Sequence, residues 1–346
     1  PNNSELFGGY YAMDKIFAAT NEMLYQLSEE EFNRINEWYP IKVTSHIMSE
    51  ISKKKSTRLA AQFLPDSREL QSDEGIGAFF PEEIHNTEIV VQKYPNRCMI
   101  YTTGVCFAHC RHCSRKEKWH EKNNFSYFLF DKAYLYINQN SHLEDVLLTG
   151  GDALANSDDN IEYMLEKLSA IAHIKSIRLA TRAFTSFPDR ITSKLCAILE
   201  KFNKVVVVTQ FNCTDEFSDK TVAAIHNIQK TGTPILNQSV LLKGVNDEFR
   251  SIKDLFSTCA AHRVIPYYLF HCFNVKSVGH FRTNVELGEK IINNLVGNIG
   301  GWWIPRYILI PDSTGIKIPL CPNGLVEHSE ASIRVKDYRG RILSYE

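Results

Sequence analysis

The chain has 346 residues, 44% of them hydrophobic, with a formal net charge of −1 and a pI near 7.0. That length carries one large α/β unit plus a smaller extension, and the neutral balance leaves no basic footprint for nucleic acid. No apolar run reaches roughly 18 residues, and the opening Pro-Asn-Asn-Ser is no apolar signal region, so neither a membrane span nor a secretory leader is expected. Nine cysteines, an odd number without secretory features, point to a reducing cytoplasm rather than a disulfide framework.

Residues 1–90 read as helices and loops, a structural collar. Ser28-Glu-Glu-Glu31 has the capping-box pattern, with Phe32 and Ile35 following at helical spacing. Met48, Ile51 and Leu59 predict one further helix, and Lys53-Lys54-Lys55 a solvated helix face. From Phe63 to Gln92 the composition turns irregular, with Pro65, Gly75, Gly77 and Pro81, as in a segment wrapping over a core. Residues 91–298 alternate strand and helix. Apolar or β-branched runs recur at 97–102, 145–149, 176–180, 205–209, 235–240 and 264–269. The clearest amphipathic segment between them carries Ile161, Met164, Leu165, Leu168 and Ile171. Six such units imply a parallel sheet with crossover helices, too few strands for a standard eight-stranded barrel. Residues 299–346 change character, with Trp302, Trp303 and short β-rich runs around Tyr307 and Ile333, and read as a small extension closing the barrel mouth.

The chemistry is concentrated in Cys106-Phe-Ala-His-Cys-Arg-His-Cys113, a C-x3-C-x2-C loop after the first strand. Three thiolates hold three irons of a cubane cluster and leave the fourth iron open, whereas a [4Fe-4S] site closed by protein alone takes four. Zinc competes, since His109 and His112 could complete a four-ligand set on paper, but ligands packed this tightly would strain a tetrahedron. Buried structural cysteines hardly explain three in one polar loop. Cys98, Cys196, Cys213, Cys259 and Cys272 read as core or loop fillers.

Cys-Arg-His-Cys-Ser-Arg (110–115) resembles the cluster loop of the lysine 2,3-aminomutase family of radical S-adenosylmethionine (SAM) enzymes, which reads C-R-H-C-T-R. The resemblance recurs in order from Tyr94 onward. It covers Tyr94-Pro-Asn-Arg97, Leu148-Thr-Gly-Gly-Asp-Ala-Leu154, Asn237-Gln-Ser-Val-Leu-Leu-Lys-Gly-Val-Asn-Asp247, Pro266-Tyr-Tyr, His280-Phe-Arg-Thr283 and Lys317-Ile-Pro-Leu-Cys-Pro-Asn323. It implies an α/β fold, an open partial (β/α)6 TIM-like radical SAM barrel with a helical N-terminal region and a small β-rich C-terminal extension. Ligands then sit at the C-terminal strand ends. It also implies three cofactors: a [4Fe-4S] cluster on Cys106, Cys110 and Cys113, SAM, and pyridoxal 5′-phosphate (PLP). Gly150-Gly151-Asp152 is similar to the family's Gly-Gly-Glu counterpart, where glycines let backbone approach SAM and the carboxylate accepts from its ammonium. Gln238 falls in the family's Asn-Gln-Ser block near SAM. Lys317 matches the lysine that holds PLP covalently, and Tyr94 and Arg97 match residues positioning that cofactor. Arg115 matches the arginine gripping the substrate's α-carboxylate, a role suited to a planar guanidinium fork.

Three departures bear on specificity and assembly. The family's glycine run before the lysine is here Asp312-Ser-Thr-Gly-Ile-Lys317, with only Gly315 left. The two aspartates that bind lysine's distal ammonium fall on Phe273 and Ile310, and the basic group of glutamate-specific relatives is absent too. Neither Phe273 nor Ile310 can accept from an ammonium, which predicts a neutral or apolar substrate side chain unless Asp312 or Glu117 takes over. The chain stops at Glu346 without the cysteine-bearing tail by which clostridial members bind zinc between subunits, so intersubunit zinc is not expected and a homodimer stays open.

The resemblance therefore implies an isomerase, an amino-acid 2,3-aminomutase moving an α-amino group to the β carbon. Its partners would be a small amino-acid substrate and a low-potential electron donor such as flavodoxin or ferredoxin, with no nucleic acid and no membrane. The alternatives are a SAM/PLP enzyme with a deaminating or desaturating outcome, a translation-factor lysine aminomutase, and a non-catalytic metal-binding module.

Overall fold

The computed structural model describes residues 9–24, 26–71, 86–121, 123–311, 315–322, 325–328, 333–337 and 339–345. Its centre is a nine-stranded sheet in sequential order: β1 (Val90–Tyr94), β2 (Arg97–Thr103), β3 (Asp145–Gly150), β4 (Ser176–Ala180), β5 (Val205–Thr209), β6 (Ile235–Leu241), β7 (Ile265–His271), β8 (Arg306–Leu309) and β9 (Ile318–Cys321). β2 to β8 run parallel, and the edge strands β1 and β9 are antiparallel to their neighbours. Among the described residues the two edges do not pair, so the barrel is open. All six expected strands form where the apolar runs lie. β8 adds a seventh to the parallel series, so the sheet continues past residue 298. Tyr307 seats that strand: its hydroxyl lies 2.8 Å from His271 Nδ1, and its ring fills the space above Gly288, where a Cβ would come within 2.1 Å. A separate antiparallel sheet, β10 (Leu325–His328), β11 (Ile333–Lys336) and β12 (Ile342–Tyr345), forms the β-rich end.

The period-two burial of the strands sets up the site. Cys98 and Ile100 of β2, Val146 and Leu148 of β3, and Ile177 and Leu179 of β4 are buried in one core with the crossover helices. Helix Asp158–Ala170 contributes Ile161, Met164, Leu165 and Leu168 to that core, as its periodicity predicts. The alternate residues belong to the opposite, lumenal face: Arg97, Met99 and Tyr101; Asp145, Leu147 and Thr149; Arg178 and Ala180.

The N-terminal region has its own core, built by Ile16, Phe32, Ile35, Ile47, Met48, Ile51, Leu59 and Phe63. Helix Glu29–Trp38 starts at the expected capping box on Ser28. The single helix expected over Met48 to Leu59 is two, Ser45–Lys54 and Thr57–Phe63. Lys55 turns left-handed with φ 48°, and Ser56 Oγ accepts the Leu59 N–H at 3.0 Å to cap the second helix. The lysine run is not merely solvated, since Lys54 Nζ donates to the Asp215 carbonyl at 2.6 Å. The irregular stretch holds a short 3-10 helix, Ser67–Leu70, and already becomes strand at Val90; Gly75, Gly77 and Pro81 lie outside the described residues. Ala108 of the cysteine loop belongs to this N-terminal core, with Cys110 packed against it, so the collar is also the bed of the cysteine loop.

Candidate active site

Cys106, Cys110 and Cys113 follow β2 and line a cavity of about 570 Å³ at the C-terminal strand ends. Gly150 at the end of β3 with Gly151 and Asp152 just beyond it, Thr181 and Arg182 after β4, Gln210 after β5, Gln238 of β6 and Phe273 after β7 line the same cavity. The structure thus brings together most of the expected SAM and cluster residues. The loop is held from outside: Lys42 Nζ donates to the Cys106 carbonyl at 2.7 Å, and the Arg111 N–H to the Gln62 carbonyl at 2.8 Å. Burial pushes all three thiols up, and mutual repulsion adds to this at Cys106 and Cys113.

The glycines allow two strand ends to pack closely. Gly150 has φ +118°, and a Cβ on Gly151 would come within 2.2 Å of the Val105 carbonyl. The close approach they allow is to the exit of β2, where Gly151 N–H donates to Thr103 O at 2.6 Å and Asp152 N–H to Val105 O at 2.8 Å. Asp152 accepts from Leu154 N–H at 2.9 Å and Arg182 N–H at 2.7 Å, and burial raises its carboxyl to about 6.

Arg115 reaches from the cysteine loop into the lumen, its guanidinium 4.0 Å above the Tyr101 ring, and its N–H donates to Cys113 Sγ at 3.3 Å. Lys116 beside it is fully buried. It meets Glu69, which also pairs with the buried Arg111.

Lys317 gathers the residues of the second expected centre. Its N–H donates to the Tyr94 hydroxyl at 2.8 Å, its Nζ lies 5.7 Å from the Tyr94 ring, and the Arg97 guanidinium stacks at 3.7 Å on that same ring. Burial, then Arg178 and Arg97, lower the Lys317 amine to about 8, with Asp145 opposing. Arg97, Asp145 and Arg178 are lumenal residues of β2, β3 and β4, so the ammonium belongs to the same lumen as Tyr101 and Arg115. Phe273 and Ile310 both pack against one apolar cluster containing Val240, Phe270 and Ile308. Asp312, Ser313 and Thr314 lie outside the described residues.

A 4Fe-4S single cluster domain matches residues 95–227. The chain is 37% identical over 257 residues to an L-lysine 2,3-aminomutase of Methanococcus maripaludis, covering 74% of this chain and 59% of that protein. It is 33% identical to a glutamate 2,3-aminomutase of Clostridioides difficile, covering 82% and 68%. A putative L-lysine 2,3-aminomutase of Aquifex aeolicus is 32% identical over 331 residues, 92% of this chain and 87% of its own length. The chain belongs to the lysine 2,3-aminomutase family. It spans about three-fifths of the length of the Methanococcus relative. SuiB of Streptococcus suis bound to S-adenosylmethionine superimposes with a TM-score of 0.49 at 13% identity, over 86% of this chain and 67% of that one.

The lysine 2,3-aminomutase family uses a [4Fe-4S] cluster, SAM and PLP, and the residues present fit each. For the cluster, all nine cysteines are free, and donors already point at Cys110 and Cys113. His109 is fixed in the loop by its Nδ1, which faces the Pro40 carbonyl at 2.7 Å, and by its ring, which stacks on Trp119 at 4.2 Å. For SAM, the buried His112 Nδ1 and Thr209 Oγ1 belong to cavity-lining residues and lack a protein partner. For PLP, an amine lowered by burial stands beside two arginines, a setting for an aldehyde carrying a phosphate.

Sequence reasoning places Thr181-Arg182 at a strand end but misses Gln62 and Glu216. Arg182 was visible as the residue after β4, but nothing local marked its partners, 120 and 34 positions away.

Proposed function

We propose that this protein is a radical SAM, PLP-dependent 2,3-aminomutase, an isomerase moving the α-amino group of an L-amino acid with a neutral or apolar side chain to the β carbon. The observation that carries the specificity is that Phe273, on the cavity wall, shares an apolar cluster with Ile310. A lysine ammonium there would be desolvated without a counter-ion, and a glutamate carboxylate without a cation.

In this reading Cys106, Cys110 and Cys113 hold the cluster, and Asp152 accepts from the SAM ammonium beside Gln238. Arg115 grips the α-carboxylate, while Lys317, Tyr94 and Arg97 hold PLP. When bound, the cluster and SAM would supply hydrogen-abstracting radical chemistry, and PLP would supply a conjugated ring able to delocalise unpaired spin. The protein binds the amino acid between Arg115 at one end of the lumen and Lys317 toward the other, and its N-terminal region covers the cysteine loop from water. The functional units would be 1–90, 91–298 and 299–346. A cytoplasmic flavodoxin or ferredoxin would serve as reductant, with assembly as a homodimer open to measurement.

The test is a panel of amino acids incubated anaerobically with reconstituted enzyme, SAM, PLP and dithionite, and read by mass spectrometry. A β-amino acid from leucine, phenylalanine or glutamine, with less from lysine, is the expected result. A deaminated or desaturated product would overturn the isomerase reading, and best turnover of lysine the specificity.

A further inference from the structure

Arg182 is tied more tightly to the cysteine loop than any role assigned above requires. Its Nη1 donates to Cys110 Sγ at 2.8 Å. Its Nη2 donates to Gln62 Oε1 at 3.0 Å and Glu216 Oε2 at 2.7 Å, and its Nε to the Gln210 carbonyl at 3.2 Å. The guanidinium also lies 4.9 Å above the Phe63 ring. Glu216 is fixed in turn: it accepts from Asn212 N–H at 2.6 Å, Cys213 N–H at 3.1 Å, Gln62 Nε2 at 3.3 Å and Thr185 Oγ1 at 2.7 Å. Three segments distant in sequence thus converge to aim one N–H at one sulfur.

Pairing with Glu216 alone would leave Nη1 free to face any acceptor. Instead the fork uses Nη2 for the carboxylate and Nη1 for the thiolate, the two-sided geometry a planar guanidinium permits and an ammonium does not. From this we infer that Arg182, held by Glu216 and Gln62, is the electrostatic partner of the Cys110 thiolate and sets how readily the iron–sulfur cluster accepts its electron. The inference rests on the proposed assignment of the three cysteines to that cluster. The physical reason is charge. The reduced cluster carries one more negative charge than the oxidised one, so an N–H donor and a cation at its ligand sulfur favour reduction. Glu216 opposes this by partly neutralising the cation, so the pair tunes the potential in both directions.

The experiment is an EPR-monitored redox titration of the reconstituted cluster in the full chain, without SAM or amino acid, for wild type, Arg182→Gln and Glu216→Gln. Arg182→Gln is expected to lower the reduced-to-oxidised ratio at fixed poise by tenfold or more, about 59 mV for a one-electron couple. Glu216→Gln keeps the acceptor oxygen but removes the charge, and is expected to raise the ratio. Opposite shifts support the inference. Unchanged potentials, or shifts of the same sign, overturn it, because a purely structural pair has no reason to move the potential in two directions. If Arg182→Gln assembles no cluster, the sign of the Glu216→Gln shift decides. A wild-type protein that binds no iron would instead remove the cysteine assignment, and this inference with it.

Discussion

The hydroxyl of Tyr94 accepts a 2.8 Å hydrogen bond from the backbone N–H of Lys317, joining residues 223 positions apart. One end of the bond lies on the first edge strand of the sheet, and the other just before the last edge strand. It fixes the lysine's backbone while leaving its amine to the lumen. Tyr94→Phe removes the acceptor and keeps the ring under Arg97. The expected cost is about 1 kcal/mol, read as roughly fivefold weaker PLP binding in an absorbance titration. Unchanged binding would mean the bond does not position the lysine.

The Lys317 amine, lowered from 10.5 to about 8, loses its proton more easily than a free lysine. The reactive neutral form is therefore scarce well below that value and dominant above it. PLP capture, trapped with borohydride across roughly pH 6 to 10, should rise with pH and level off above about 8. A rise continuing toward the ordinary lysine range would place the amine in water. Lys317→Ala should lose the trapped adduct yet retain iron; an adduct surviving in that variant would identify another lysine as the anchor.

Specificity should follow charge. Wild-type kcat/KM for lysine is expected to fall below that for leucine, phenylalanine or glutamine by a factor above about a hundred, from a penalty of about 3–5 kcal/mol. Phe273→Asp together with Ile310→Asp should recover part of the lysine activity. Should wild type prefer lysine, Asp312 becomes the first residue to test.

Glu69, Arg111 and Lys116 form a fully buried ionic cluster under the cysteine loop. The two cations hold the Glu69 carboxyl down at about 2 despite burial. Its folded value lies below the ordinary 4.5, so its stabilisation is present above about 4.5 and is lost as pH falls toward about 2. Glu69→Gln leaves two buried cations and should cost about 3–5 kcal/mol, measured by urea unfolding at neutral pH. A variant as stable as wild type would show that water reaches this cluster.

Cys106→Ala, Cys110→Ala and Cys113→Ala should each abolish reductive SAM cleavage, whereas Cys196→Ala, on helix Ser193–Leu199, should not. SAM cleavage at the wild-type rate in any of the three loop variants would remove that cysteine from the ligand set.

Local pattern was enough for much of the fold. The runs from Arg97 to His271 became six parallel strands because β-branched and apolar residues favour a sheet buried on its helix-facing side. Ser28 and Glu31 fixed a helix start because their hydrogen bonds close within one turn. The C-x3-C-x2-C spacing was legible for the same reason, since its chemistry is contained in eight neighbouring residues. The split at Lys55 was not, because a left-handed residue backed by the contacts of Lys54 and Ser56 with Asp215 depends on a segment over 150 positions away.

The site divides along the same line. Sequence by itself determined which residue types are candidates for the site: three thiols, a Gly-Gly-Asp turn, an arginine beside the cysteines and a lysine before Ile-Pro. Only the tertiary structure decided that Lys317 shares a lumen with Arg97 and Arg178, that Lys116 is buried on Glu69, and that Arg182 reaches Cys110. Those relations arise from the sheet's strand ends and edges and from the N-terminal region packed on the cysteine loop, which bring residues far apart in the chain within reach of one another. Burial then shifts their charges, and burial is a property of the assembled sheet and helices, not of any one segment.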